Sequence, residues 1–142
     1  SWVDEACKIY QSRLPINHAL EFKSLPIIKR TKSSNIPNII KQESDSLLKA
    51  VSNNSYIIAL DATGKSLSTE QMTKRIEDIK LGYSNISFII GGPDGLSTDL
   101  KQKANEIWSL SKLTYAHPVV RVVMAEQIYR CWSLSQNHPY HR

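Results

Sequence analysis

Glu126 and Arg130 stand four residues apart, carboxylate first, in a stretch otherwise apolar on nearly every side. Val119, Val122 and Val123 share their face, and Met124, Ile128, Tyr129 and Trp132 cover much of the rest. On a helix that order and spacing let the two charges pair. A charge on an inner stripe is costly unless paired, so the two residues read either as a buried ion pair or as part of a subunit contact or active site. The chain closes on Asn137, His138, Pro139, Tyr140, His141 and Arg142. An aromatic ring among imidazoles and a guanidinium suits stacking on a base beside a phosphate contact; an unstructured tail is the plainer reading. His117, His138 and His141 all fall in the last quarter, but no carboxylate or cysteine completes a metal-ligand set at a recognised spacing, and no metal is expected.

A second candidate lies at Gly91-Gly92-Pro93-Asp94-Gly95, directly after the apolar run Ile86 to Ile90. Such a run ended by turn residues reads as a buried, parallel strand. Glycines let a ligand approach bare backbone, and ligands of open α/β sheets bind outside the carboxyl ends of strands. An ordinary tight turn has an equal claim. The turn is not GxGxxG, and neither a GxxxxGK[ST] phosphate loop nor a GxSxG elbow occurs. Cys7 and Cys131 lie far apart and read as buried free thiols in a reducing compartment.

The elements that must carry these residues alternate. A helix holds Trp2, Val3, Ala6, Ile9 and Tyr10 and stops before Pro15. Ala19 to Ile28 reads as a strand, with Pro26 marking an edge or bulge. Lys29 to Asn35 is a basic polar loop and a candidate phosphate contact, or simply a solvated loop. A helix with Ile36, Ile40, Leu47 and Val51 follows, then a strand from Tyr56 to Leu60 closed by Asp61 to Gly64. Ser68 and Gln71 fit a capping box for a third helix, with Met72, Ile76 and Ile79 inward and Gly82 as its stop. A short helix begun by Ser97 follows the glycine turn. Ile107 to Leu113 reads as a last short strand running into a loop, and His117-Pro118 opens the final helix.

This order predicts an α/β fold: a parallel-dominated sheet with helices on both faces, in one domain spanning residues 1–142. The 142 residues are 41% hydrophobic and 22% charged, which fits a soluble globular protein. No run approaches the roughly 18 apolar residues of a membrane helix, and the amphipathic start does not read as a signal peptide. The net charge of +5 permits nucleic-acid binding without requiring it. The chain starts on Ser1 rather than Met, and one strand before the first helix is expected to complete the unit.

The second half carries five ordered motifs: IIALDATGK, IIGGPDG, WSLSKLT, HPVVRVVMAEQIYR and NHPYHR. Together they resemble the RlmH family of SPOUT methyltransferases over Tyr56 to Arg142; from Trp2 to Asn54 the likeness is one of element order. The resemblance implies a trefoil-knotted α/β fold, a homodimer built on the last helix from Pro118 to Leu134, and S-adenosyl-L-methionine as cofactor. It implies methylation of N3 of a pseudouridine in large-subunit (23S) ribosomal RNA, on the ribosome and in the cytoplasm. Carried over residue by residue, the cofactor contacts are Leu60, Gly91, Gly92, Leu110, Ser111, Lys112, Leu113, Thr114 and Tyr115. His117, Glu126, Arg130, Tyr140, His141 and Arg142 are the expected substrate-positioning and proton-handling residues, with the base left open among them. Two features depart from the family pattern: the missing first strand, and Ala116 where a proline often precedes the motif histidine. Two further readings stay open, a non-catalytic basic RNA- or ribosome-binding module of the same fold and a tRNA methyltransferase of the same class.

Overall fold

The computed structural model describes residues 1–141; Arg142, one of the expected site residues, lies outside the described residues. In chain order the elements are α1 (Trp2–Arg13), a 3-10 turn (Ile16–His18), α2 (Ile36–Ala50), β1 (Ser55–Ser66), α3 (Thr69–Lys80), β2 (Asn85–Ile90), α4 (Thr98–Lys103), β3 (Glu106–Ser109) and α5 (His117–Ser135). They fall into two compact units. One holds Ser1–Phe22, Leu67–Asp78 and the chain from Tyr115 onward; the other holds Lys23–Ser66 and Ile79–Thr114.

The second unit contains the sheet. Its order is β2-β1-β3, with both pairings parallel. Ile58 and Ala59 point to opposite faces of the central strand, as neighbours in a strand must, and both are fully buried. A strand covered on both faces reads as an unbroken apolar run, not an alternating one. Ala59, Ile89, Leu96 and Leu100 form one core, packed by Leu47 and Leu48 of α2, by Val51 just after it and by Ile107.

In the first unit α1 lies against α5. Val3, Cys7 and Ala125 are buried together, with Tyr10, Leu20, Phe22 and Val122 around them. Arg121 reaches over the Phe22 ring, 5.2 Å from its centroid, and donates to Asp4 at 2.8 Å. The capping box of α3 is formed as expected: the Ser68 amide donates to Gln71 Oε1 at 2.8 Å and the Gln71 amide to Ser68 Oγ at 3.1 Å. Met72, Ile76 and Ile79 are buried. Asn137 takes a positive φ after α5, and the His138 amide returns to the Ser133 carbonyl at 2.8 Å, a helix stop of the left-handed kind.

Two local expectations are corrected. Ala19–Ile28 is extended but is not a strand. Its backbone finds side chains instead of a neighbouring ladder: Gln11 Nε2 donates to the Leu20 carbonyl at 2.7 Å, and the Ile28 amide donates to Glu43 Oε2 at 2.9 Å. Leu20 and Phe22 serve the α1–α5 core, whereas Ile27 is 48% exposed, so the apolar spacing there reflects no single sheet face. Next, Asp61 to Gly64 does not end β1. It is a detour within the strand: Leu60 and Lys65 both register with Trp108, and pairing resumes at Ser66–Ser109. Asp61 shapes the detour by accepting from the Thr63 amide at 3.0 Å and from the Thr63 hydroxyl. Gly64 passes so near β3 that a Cβ there would lie 2.6 Å from the Ile107 carbonyl carbon and oxygen. The last strand runs into a loop as expected: β3 stops at Ser109, and Leu110 to Leu113 form a loop in which the Leu113 amide donates to Ser111 Oγ at 3.0 Å.

Candidate active site

In the sheet-bearing unit, Leu60 registers with Ile90 on one side and Trp108 on the other. The residues that follow, Gly91 and Ser109–Leu110, are thereby set beside Leu60 at the carboxyl edge of a parallel sheet. The strand order reverses across β1 here, which is where α/β sheets receive ligands. Leu110 and Ser111 are half-buried, while Lys112 and Thr114 are exposed and Leu113 is 67% exposed. The edge therefore offers aliphatic side chains and bare backbone, the kind of lining that takes an apolar ring. Tyr115, 37% exposed, begins the segment assigned to the other unit.

The glycine turn is built more tightly than its composition suggests. The Gly95 amide donates to the Gly92 carbonyl at 3.0 Å, and Gly95 takes φ +80°, a conformation that glycine adopts freely. A Cβ on Gly91 would lie 2.9 Å from the Gly95 carbonyl carbon, so Gly91 is required by the turn itself. A Cβ on Gly92 would lie 3.3 Å from Glu43 Oε1.

Arg30, read from the sequence as part of a phosphate-contacting loop, is otherwise engaged. Its Nη1 and Nη2 donate to Glu43 Oε2 and Oε1 at 2.7 and 2.9 Å, Nη1 also reaches the Ile28 carbonyl at 2.7 Å, and Nε donates to Asp94 Oδ2 at 3.0 Å. The bidentate guanidinium holds the Glu43 carboxyl below its ordinary value, against a smaller opposing effect of burial. Lys29 and Lys32 remain exposed.

In the helical unit, four of the expected residues come together. Glu126 Oε1 accepts from Arg130 Nη2 at 2.6 Å and Nε at 2.7 Å, and from the Tyr140 hydroxyl at 3.2 Å. Gln127 Nε2 donates to its other oxygen at 2.8 Å. The Arg130 guanidinium lies 4.8 Å from the Tyr140 ring centroid, and the Tyr129 ring meets Tyr140 edge-on at 4.7 Å. His141 spans two partners, with Nδ1 3.4 Å from Arg130 Nη1 and Nε2 3.1 Å from Glu70 Oε1. Burial, then a hydrogen bond with Tyr10, then the charge of Glu126 push the Tyr140 hydroxyl up to about 12.

His117 is not part of this cluster. It opens α5 nine residues before Glu126, about 13 Å along the axis at 1.5 Å per residue. Glu70, Gln127, Tyr10 and Thr69, whose hydroxyl donates to Gln127 Oε1 at 2.9 Å, were not legible as site residues. Glu70 sits inside the Ser68–Gln71 capping signal, and nothing local tied it to a residue 71 positions away. Among the described residues no group of three His, Cys, Asp or Glu side chains is placed to hold a metal ion, and no helix is long and apolar enough to cross a membrane.

A parallel α/β sheet with a glycine turn at its carboxyl edge, joined in one chain to an apolar helix that carries a saturated carboxylate–guanidinium pair, defines the class. The family described as "Predicted SPOUT methyltransferase" matches residues 1–141, and the chain belongs to that family. It is 45% identical over 141 residues to the ribosomal RNA large subunit methyltransferase H of Marinomonas sp. (strain MWYL1), covering 99% of this chain and 91% of that one. It is 44% identical to the protein of the same name from Saccharophagus degradans, covering all of this chain and 92% of that one. For the Thioalkalivibrio sulfidiphilus protein, also so named, identity is 39% over 142 residues, with 100% and 91% covered.

Proposed function

We propose that this chain is an S-adenosyl-L-methionine-dependent methyltransferase that modifies N3 of a pseudouridine in 23S ribosomal RNA. On this reading it works in the cytoplasm as a homodimer on the assembled ribosome, and residues 1–142 form one knotted SPOUT domain. The observation that carries the reading is the likeness to ribosomal RNA large subunit methyltransferases along the whole chain. The net charge of +5 suits an RNA substrate. Half-buried Val119, Val120, Val123 and Ile128 on α5 give a second copy apolar surface to cover.

When bound, the cofactor supplies a methyl group already activated on a sulfonium. Leu60, Gly91, Gly92 and Leu110 to Thr114 would hold it, with Tyr115 next in the chain. The protein's remaining tasks are to hold the nucleophilic nitrogen in line and to take its proton. Glu126 accepts from Arg130, Gln127 and Tyr140, so it is a positioning carboxylate. Tyr140 keeps its proton to about pH 12 and acts as donor and ring platform. His141, held between Arg130 and Glu70, is the group to which we assign proton handling.

The test is methyl transfer from labelled S-adenosyl-L-methionine to assembled ribosomes, free 23S RNA and bulk tRNA, paired with calorimetry of S-adenosylhomocysteine. Label confined to ribosomes and lost when the target pseudouridine is replaced by uridine is the expected result. Label in tRNA would make the chain a tRNA methyltransferase. A full-length dimer without cofactor affinity would make it a binding module.

A further inference from the structure

Three glycines in five residues make a floppy segment, and ordering it on binding would cost affinity. The C-terminal side of the turn from Gly91 to Gly95 is instead tied to one turn of α2 at two points. Glu43 fixes the Arg30 guanidinium through two parallel bonds, and the remaining Arg30 Nε grips Asp94. Ser44, the next residue of α2, is 1% exposed and accepts from the Ser97 amide at 2.9 Å, just beyond the turn. Gly92 fits the same arrangement, since Glu43 Oε1 lies 3.3 Å from where its Cβ would be. These contacts lie 53 and 64 residues apart in sequence, so chain proximity does not account for them.

We propose that Arg30, Glu43 and Ser44 are positioning residues that preorganise the Gly91–Gly95 turn, so that affinity for the methyl donor is set from α2. The inference rests on the reading of this turn as a cofactor contact. Arg30 acts here through its fork: the two Nη groups hold the Glu43 carboxylate bidentately while Nε serves Asp94, a planar geometry that a lysine ammonium lacks.

The experiment uses the full chain with S-adenosylhomocysteine as probe. Asp94→Asn, Arg30→Lys and Ser44→Ala are compared with wild type and with Lys41→Ala, which breaks the exposed Lys41–Asp45 pair on the same helix. Each clamp variant should bind about threefold to tenfold more weakly, the loss of one hydrogen bond. The Gly95 amide of the free protein should exchange with deuterium faster by a similar factor. KM for the donor should rise while KM for the ribosome and kcat stay within about twofold, and Lys41→Ala should match wild type throughout. Asp94 is 38% exposed, so Asp94→Asn keeps the test open if Arg30→Lys or Ser44→Ala folds poorly. Wild-type affinity and exchange in Asp94→Asn, with Gly92→Val impaired, would overturn the clamp and leave the cofactor site standing. Wild-type affinity in Gly92→Val as well would remove the cofactor from this turn and overturn both.

Discussion

The Tyr140 hydroxyl donates to Glu126 Oε1 while the Tyr140 ring lies under the guanidinium of Arg130, the partner of that same carboxylate. One tyrosine near the chain end thus seals a charge pair fourteen residues earlier from two directions. The tail is docked on α5, and its removal has a structural cost that the sequence did not suggest.

Truncation after Pro139 should abolish methyl transfer and also lower stability by about 1–2 kcal/mol, the sum expected for one edge-on aromatic contact and one partly exposed cation–π contact. Calorimetric unfolding measures the second effect. An unchanged melting curve would mean the docked tail contributes nothing. Mixing the truncated subunit with a cofactor-blind subunit that keeps its tail tests whether the tail serves its partner: verified heterodimers should regain one working site if it does.

Tyr140 also sets an alkaline limit. Its hydroxyl is raised from 10.0 to about 12, so the folded protein favours the protonated ring. The stability it contributes is complete below pH 10 and is lost as pH climbs through about 12. Ultraviolet phenolate absorbance of wild type minus Tyr140→Phe should show this late titration. A difference spectrum titrating near pH 10 would contradict the docked geometry.

Glu43 acts at the opposite end of the scale. Its carboxyl is lowered from 4.5, chiefly by Arg30, so its contribution is full above that value and fades as pH falls through the depressed one. Wild type should exceed Glu43→Gln in denaturant stability at neutral pH, and the gap should close in acid. A gap independent of pH would show that the glutamate charge is not what matters.

The two adjacent glycines should separate. Gly92→Val pushes into Glu43 and should cost at least about tenfold in cofactor affinity with the fold retained, roughly 1.4 kcal/mol. Gly91→Ala meets turn backbone at 2.9 Å and should lower stability by about 1–3 kcal/mol. Equal behaviour of the two variants in both assays would refute the distinction.

Gly64→Ala should be the most damaging small change in the sheet. Its Cβ would sit 2.6 Å from the Ile107 backbone, and backbone cannot step aside as a side chain can. The expected loss is about 2–4 kcal/mol by overpacking, read from urea midpoints. A loss under about half a kcal/mol, the range of an ordinary surface change, would mean that β3 does not press on Gly64.

What was legible in the chain was what spacing alone can encode. Ser68 with Gln71, Ser97 as the cap of α4, and Glu126 with Arg130 are partners within one helical turn, and all are formed. The buried parallel strands showed as apolar runs because both their faces are covered. Arg30 with Asp94, His141 with Glu70, and Gly64 with Ile107 depend on which distant segments the topology brings together, and no local pattern marks them. Ala19–Ile28 misled for a related reason: its apolar residues serve different surroundings, and a strand reading assumes a common face.

The two cysteines give the molecule an internal clock. Cys7 and Cys131 are 1% and 4% exposed, and burial raises both thiols, so in the folded chain neither offers an accessible thiolate to an alkylating reagent. Both belong to the helical unit, and the sheet-bearing unit has no cysteine. Thiol labelling of the unaltered protein therefore times the opening of the helices alone, while the glycine turn and its strands pass unrecorded.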